Sequence, residues 1–266
     1  MPMKILTWNM NHWQRRAQHE AGWAYLRDVL RPDVALVQEA VPPDEVAASQ
    51  LVYRAGGISD HRRWGSAVVS YGPALAELTT VRGQANRAEV ELLKTHPGCV
   101  AIARVEPQEA QPITVVSVYG LIEDGYAVTT MNRILSDLTP LFDSRDCKRI
   151  VLAGDLNIST QLEGRYGRWS RNCLERLQAF GLVDCLKRFA GERRRLTDCP
   201  CDEGIACAHV QTHRHPQSRV PWNNDYIFCS EELAKDVVSC RVIDDDEVWN
   251  LSDHAPVVAE FGSAQG

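Results

Sequence analysis

No segment of the chain is apolar for long enough to cross a membrane, and the amino-terminal stretch MPMKILTWNMNHW lacks the apolar run that a secretion signal needs. Nothing in the middle is rich in Gly/Ser or in Pro, and no repeat or low-complexity tract interrupts the chain. The expectation is therefore one unit over residues 1–262 with a short tail, 263–266, and no membrane partner. An excess of positive charge is missing too. The 29 Lys and Arg against 35 Asp and Glu leave −6, so no global basic field advertises a polyanion, although local patches still can. A cluster of acidic metal ligands would tip the balance the same way. The nine cysteines are an odd number and, with no secretion signal, read as reduced thiols or metal ligands. The expected location is cytoplasmic. What remains is ordinary: 44% hydrophobic and 24% charged residues suit a soluble chain that buries a full core.

The most informative stretch is Arg149–Thr160, RIVLAGDLNIST. Ile150, Val151, Leu152 and Ala153 form the short apolar run of a fully buried strand, and Gly154 is placed to let the backbone turn. Asp155 and Asn157 then stand at the mouth of that strand. A carboxylate and a carboxamide held at a rigid strand end can position a water and hold the phosphate or metal it attacks. The same two residues are equally ordinary in an Asx turn.

The pattern recurs along the chain. Met3–Asn9 is an apolar strand ending on Asn9, and DVALVQE, Asp33–Glu39, is another ending on Glu39. Between them, Glu20–Leu30 carries Trp23, Leu26, Val29 and Leu30 on a helical period, stopped by Pro32-Asp33. Gly65–Gly72 and Val100–Val105 read as strands, Leu78–Leu93 alternates loosely, and Pro112–Tyr119 is a clear strand ending on Tyr119. Thr130–Phe142 is the best amphipathic helix, with Met131, Ile134, Leu135, Leu138, Leu141 and Phe142 on its buried side. After Asn157 come a polar segment with Arg165, Arg168 and Arg171, a helix over Asn172–Phe180, the stretch Leu182–Phe189 and a basic loop, Arg193–Arg195. DYIFC opens a strand on Asp225, and Ser252-Asp253-His254 lead into a last apolar strand. Many strands, few helices and frequent turn signals predict a layered α/β sandwich with a largely antiparallel sheet pair.

Asn9, Glu39, Tyr119, Asp155, Asn157, Asp225, Asp253 and His254 thus fall at strand ends. Each alone is explained by a turn, a cap or a satisfied core polar group; the whole set on separate strands is another matter. The blocks that hold them are TWN at Thr7–Asn9, QE at Gln38–Glu39, GSAVVS at Gly65–Ser70, SVY at Ser117–Tyr119, GDLN at Gly154–Asn157, NDYIF at Asn224–Phe228 and SDH at Ser252–His254. In this order, and nearly end to end, the chain resembles the endonuclease/exonuclease/phosphatase superfamily. The resemblance implies a four-layer α/β sandwich, two packed mainly antiparallel sheets flanked by helices, with an active site at one edge. It implies hydrolysis of a phosphate ester with Mg²⁺ or Mn²⁺. Glu39 would be the principal metal ligand, with Asn9 and Asp253 beside it, hard oxygen donors that suit Mg²⁺. His254 would meet the phosphate, with Asp225 fixing and charging it through the other ring nitrogen. Asp155 would orient or deprotonate the attacking water, Asn157 would hold a phosphate oxygen or that water, and Tyr119 would donate to a non-bridging oxygen. In-line attack on a phosphodiester asks for the same parts. Two positions depart from the apurinic endonuclease branch: Asn11 stands where that branch has an acid and Ile122 where it has an asparagine, which weakens abasic-site repair as the specific role.

Residues 198–215, DCPCDEGIACAHVQTHRH, supply Cys199, Cys201, Cys207 and His209, the ligand types of a tetrahedral Zn²⁺ site, with Gly204 to close the loop. The spacing C-x-C-x5-C-x-H is not one of the usual C-x2-C patterns. The alternative is a reduced cysteine-rich loop with His213 and His215 turned into a substrate groove. In the resembling nucleases the segment before the DYIF strand contacts substrate, and here it holds Thr212, His213, Arg214, His215, Arg219 and Trp222. Arginines meet phosphates, and Trp222 either stacks on a base or sugar or packs in the core. Arg193–Arg195 is either an extended phosphate track or a solvated face. Three functions compete: a nuclease acting first on DNA, a phosphatase or phosphodiesterase for a small molecule or lipid head group, and a non-catalytic binding module. A lipid enzyme would expose an apolar, aromatic loop, and none stands out. A binding module predicts gaps in the strand-end set, which is complete.

Overall fold

The long apolar runs become the central strands of two sheets, as strands buried on both faces must. A computed structural model describes residues 2–55, 63–83, 88–108, 110–192 and 196–262, so Arg193–Arg195 and the tail 263–266 lie outside the described residues. In chain order the elements are β1 (Met3–Asn9), α1 (His19–Tyr25, continued by a wider helical turn over Leu26–Leu30), β2 (Val34–Ala40), β3 (Leu51–Ala55), β4 (Gly65–Ser70), β5 (Ala74–Glu77), β6 (Thr80–Arg82) and β7 (Glu89–Glu91). Then come β8 (Val100–Glu106), β9 (Ile113–Tyr119), α2 (Val128–Phe142), β10 (Ile150–Asp155), α3 (Gly164–Ala179), β11 (Leu182–Asp184) and α4 (Cys185–Arg188). The last are β12 (Asp225–Ser230), α5 (Glu231–Ala234), β13 (Val237–Val242), α6 (Asp246–Leu251) and β14 (Val257–Phe261).

One sheet has the order β13-β14-β1-β2-β4-β3 and the other β11-β12-β10-β9-β8-β5, while β6 and β7 form a separate ribbon. Each six-stranded sheet is antiparallel except for one central parallel pair, β1 with β2 and β9 with β10. Side-chain alternation serves two interfaces at once. Ile5, Leu36 and Val68 meet Val115, Val151 and Ile227 between the sheets. Leu6, Trp8 and Val37 turn outward onto Trp23 and Leu26, and Val116, Leu152 and Phe228 pack on Met131, Leu138 and Leu177 of α2 and α3. The four expected layers result. Near the site the sheets are also tied by polar bonds, Gln38 Nε2 donating to Ser117 Oγ at 2.9 Å and Ser117 Oγ to the Val37 carbonyl at 3.1 Å. Among the described residues no helix is long and apolar enough to cross a membrane.

Two sequence readings need correction. Gly154 is not the turn: it lies inside β10, where a Cβ would run into the Val118 carbonyl of β9, and the turn falls at Asn157 with φ 49°. Because the obstacle is backbone, Gly154→Ala is expected to destabilise the chain by about 3 kcal/mol, read as a lower urea midpoint. An unchanged midpoint would place that carbonyl elsewhere. The helix expected over Asn172–Phe180 starts earlier, because α3 begins at Gly164 and takes in the polar segment with Arg165, Arg168 and Arg171. Its buried face opens with Gly167 and Ser170, which carry no apolar signal.

Candidate active site

The strand topology gathers the expected residues at one edge. Parallel pairing puts the carboxyl ends of β1 and β2 together, and likewise those of β9 and β10, bringing up Asn9, Glu39, Tyr119 and Asp155. β12 runs antiparallel to β10 with Asp225 directly opposite Asp155, and β14 runs antiparallel to β1, so the chain before it delivers Asp253 and His254 to the same edge. All of them except the fully buried Asp225 line a cleft of about 340 Å³. Three residues here hold left-handed backbone, Asn11 (φ 48°), Glu39 (φ 47°) and Asn157 (φ 49°). Glu39 does so inside β2, where the register with β4 slips between Val37 and Ala40. Such a bulge re-aims a side chain, at a backbone cost of about 1–2 kcal/mol that the surrounding structure must offset.

Asp155 is buried at the centre. Its Oδ2 accepts from Asn9 Nδ2 at 2.9 Å and Asn157 Nδ2 at 3.0 Å, and its Oδ1 accepts from the Asn157 backbone N–H at 2.9 Å. His254 Nε2 lies 3.8 Å from Asp155 Oδ2, while its Nδ1 donates to Asp225 Oδ2 at 2.9 Å. Burial pushes Asp155 up to about 7, with His254 pulling it down and Asp225 adding to the rise. Burial alone would lower His254, but Asp225 and Asp155 outweigh it and raise the ring to about 10. The imidazolium is thus the resting form, held between two carboxylates. His213 stacks on its face, ring centroids 4.3 Å apart and planes 16° apart. Burial, then the charge on His254, drives His213 down to about 2, so a neutral ring covers a charged one.

Residues that the sequence reading did not assign to the site hold it in place. Trp8 Nε1 donates to the His254 carbonyl at 2.8 Å, and Ser252 Oγ donates to the Asn9 carbonyl at 2.7 Å while accepting from the His254 N–H at 3.1 Å. Both sit inside the TWN and SDH blocks, which is the signal that could have found them. Thr212, expected in the substrate loop, is fully buried and accepts the N–H groups of Asn224 and Asp225, each at 3.0 Å, so it anchors rather than contacts. Of that loop, His213 and His215 line the cleft. Arg214 instead lies over Trp249, 4.0 Å from the ring centroid, and Trp222 is part-buried, its carbonyl accepting from the Thr212 and His213 N–H groups. Half-exposed Trp13 lines the cleft and was not foreseen.

The donors beside this charged centre fit a hard divalent cation. Burial raises the Glu39 carboxyl, against the pull of His254 and of hydrogen bonds from Tyr119 and Asn9. Asn11 Nδ2 donates to Asp253 Oδ1 at 2.7 Å, while Asn11 Oδ1 is buried with no partner among the described residues. A buried carboxylate, a second carboxylate and an orphan amide oxygen are oxygen donors short of a cation. Asn9 is more committed, its Oδ1 accepting from the Asn11 N–H at 2.9 Å and its Nδ2 serving Asp155. Asn157 Nδ2 donates to the Gly120 carbonyl as well as to Asp155, so both of its amide hydrogens are in use. Asp155, Asp225 and His254 also bring ligand-type atoms within 4.8 Å, but a ring protonated on both nitrogens offers no lone pair to a metal.

Residues 6–254 match the family described as Endonuclease/Exonuclease/phosphatase family. No curated protein matches the chain significantly. Among solved structures the chain is similar to the AP endonuclease LMAP from Leishmania major, at 18% identity and TM-score 0.66 over 98% of this chain and 88% of that one. It is similar also to an AP endonuclease from Archaeoglobus fulgidus, at 18% identity and TM-score 0.62 over 97% and 99%. A third is the 3′ phosphatase NExo from Neisseria bound to a product DNA hairpin, at 20% identity and TM-score 0.59 over 97% and 99%. At such identities the likeness establishes the sandwich fold.

Proposed function

The chain belongs to the endonuclease/exonuclease/phosphatase family, and on that premise we propose that it is a nuclease that hydrolyses phosphodiester bonds of DNA with Mg²⁺ or Mn²⁺. Its family consists of metal-dependent phosphoesterases, and the chain is accordingly a hydrolase of phosphate esters. The observation that carries the reading is the buried Asp155–His254–Asp225 arrangement beside oxygen donors in one cleft.

Asp155 accepts a proton from the attacking water. A carboxyl whose pKa has risen to about 7 is well matched to taking and returning a proton near neutrality. Asn9 and Asn157 fix its orientation. The His254 imidazolium places positive charge where the equatorial phosphate oxygens gather negative charge, and Asp225 keeps it in that form. Glu39 and Asp253 would hold the cation, with an oxygen of Asn11 or Asn9 beside them, and Tyr119 orients Glu39 through its hydroxyl. Bound there, the cation supplies Lewis acidity at the phosphate. The cysteine–histidine cluster takes no part in this chemistry, since its thiolates suit a softer ion. Support for DNA comes from the similar structures, two AP endonucleases and a phosphatase bound to a DNA hairpin, and from Trp13 at the cleft as a platform for a base.

The test is cleavage, with Mg²⁺ or Mn²⁺ and with EDTA, of supercoiled plasmid, single-stranded DNA, RNA and small phosphate esters. Metal-dependent loss of DNA is expected, and Glu39→Gln should raise the metal concentration needed for half-maximal rate about 10-fold or more. Turnover of small esters alone would replace the DNA assignment, and an unchanged metal titration would remove Glu39 from the ligand set.

A further inference from the structure

Some distance along the chain from the acidic site, the loop between α4 and β12 folds three half-buried thiols and one imidazole onto a single point. One ligand atom from each of Cys199, Cys201, Cys207 and His209 lies within 4.8 Å of all the others. His209 Nδ1 is 3.5 Å from Cys199 Sγ and 3.4 Å from Cys207 Sγ. A tetrahedral zinc with Zn–S near 2.3 Å and Zn–N near 2.05 Å sets a nitrogen roughly 3.5 Å from each sulfur. These spacings belong to four ligands around one ion. The residues behind them fit that use. His209 Nε2 lies 2.7 Å from Thr160 Oγ1, so a proton on Nε2 donates outward and leaves the Nδ1 lone pair facing the sulfurs. Gln161 Nε2 donates to Cys199 Sγ at 3.3 Å, as suits a thiolate.

We propose that Cys199, Cys201, Cys207 and His209 bind one structural Zn²⁺, and that this ion pins the loop carrying His213 to the strand end carrying Asp155. The link is short on both sides. Thr160 and Gln161 come three and four residues after Asn157, the last of the GDLN block, and Gln161 also donates to the Pro221 carbonyl at 2.9 Å and accepts the Asn223 N–H at 2.7 Å, two residues before Asp225. Only Val210, Gln211 and Thr212 separate His209 from His213, the ring stacked on His254. Among its described residues, the loop between α4 and β12 has little regular structure of its own to fix it, with two short helical turns at Ala190–Glu192 and Gly204–Ala206. A cross-linking ion supplies what a hydrophobic core cannot give such a segment.

The experiment reads metal and conformation, not turnover, so it stands or falls apart from the nuclease proposal. Protein purified under reducing conditions is analysed for zinc, then reconstituted with Co²⁺, whose tetrahedral thiolate complexes absorb in the visible. About one zinc per chain and a cobalt–thiolate spectrum are expected for the parent and for the control Cys147→Ser. Cys207→Ser and His209→Ala should lose at least 10-fold in zinc occupancy after dialysis against a chelator. Limited trypsin digestion, mapped by mass spectrometry, should then cut after Arg214 and Arg219 in the zinc-depleted parent at least 10-fold faster than in the zinc-loaded one. Should a variant fail to fold, the cobalt titration and the two digestions of the parent decide alone. Folded parent protein that binds neither zinc nor cobalt would overturn the site, and equal cleavage rates with and without zinc would overturn its pinning role.

Discussion

Asp155→Asn is expected to lower kcat on the preferred phosphodiester by about 10²–10⁴-fold, the span that a positioned general base contributes, while the fold survives. The hydrogen-bond and ion-pair partners of the Asp155 carboxylate are donors: Asn9 Nδ2, Asn157 Nδ2, the Asn157 N–H and, at 3.8 Å, the His254 ring. A carboxamide must turn its own N–H₂ against one of them, which costs about 1–3 kcal/mol for the bond lost and the group left unpaired. Against this, the substitution removes a charge that burial disfavours, as the rise of the Asp155 carboxyl to about 7 reflects. The two effects oppose in stability, and nothing offsets the lost proton acceptor. Since carboxylate and phosphate repel, KM should stay level or fall. Steady-state kinetics together with urea unfolding separates these effects. Turnover within 10-fold of the parent would take the base role away from Asp155.

How much of this could be read beforehand follows from burial. The central strands β1, β2, β9, β10 and β12 are continuous apolar runs, and Asn9, Glu39, Tyr119, Asp155 and Asp225 lie at or beside their ends, with Asn157 in the turn just past β10. The edge strands β3, β13, β5 and β11 were not read, because strands that bury one flank give short, mixed patterns. Residue types at the site were legible in the same way, but their pairings were not. That Asn9 and Asn157 both serve Asp155, or that Asn11 leaves an oxygen orphaned beside Asp253, depends on left-handed backbone at Asn11 and Asn157, which no periodicity encodes. Thr212 reads as a polar loop residue although its hydroxyl is the acceptor that seats Asp225. The cysteine cluster falls between the two cases: its ligand types stand in the sequence, while their convergence needed the turn at Gly204–Ala206.

His254→Ala should be the more damaging change to the fold, by about 3–5 kcal/mol, the range for removing one partner of a buried ion pair. It should also lower turnover by about 10²–10³-fold through lost charge stabilisation at the phosphate. Without the imidazolium, Asp225 Oδ2 loses its donor at 2.9 Å, Asp225 Oδ1 already has no partner among the described residues, and Asp155 loses the cation 3.8 Å away. Most of the cost then lies in the stranded carboxylate, not in the missing ring. Adding D225N to H254A takes that charge away, so the double variant is expected to be more stable than H254A alone, although it lacks one more native group. A neutral His254–Asp225 hydrogen bond predicts the opposite sign, because the second substitution would only subtract a further interaction. Activity does not follow stability here, as neither change restores a positive group beside the phosphate. Urea unfolding at neutral pH of the parent, D225N, H254A and the double variant, with matching m-values, completes the cycle. A double variant less stable than H254A would mean that the ring is not held as an imidazolium, and its role at the phosphate would fall with it.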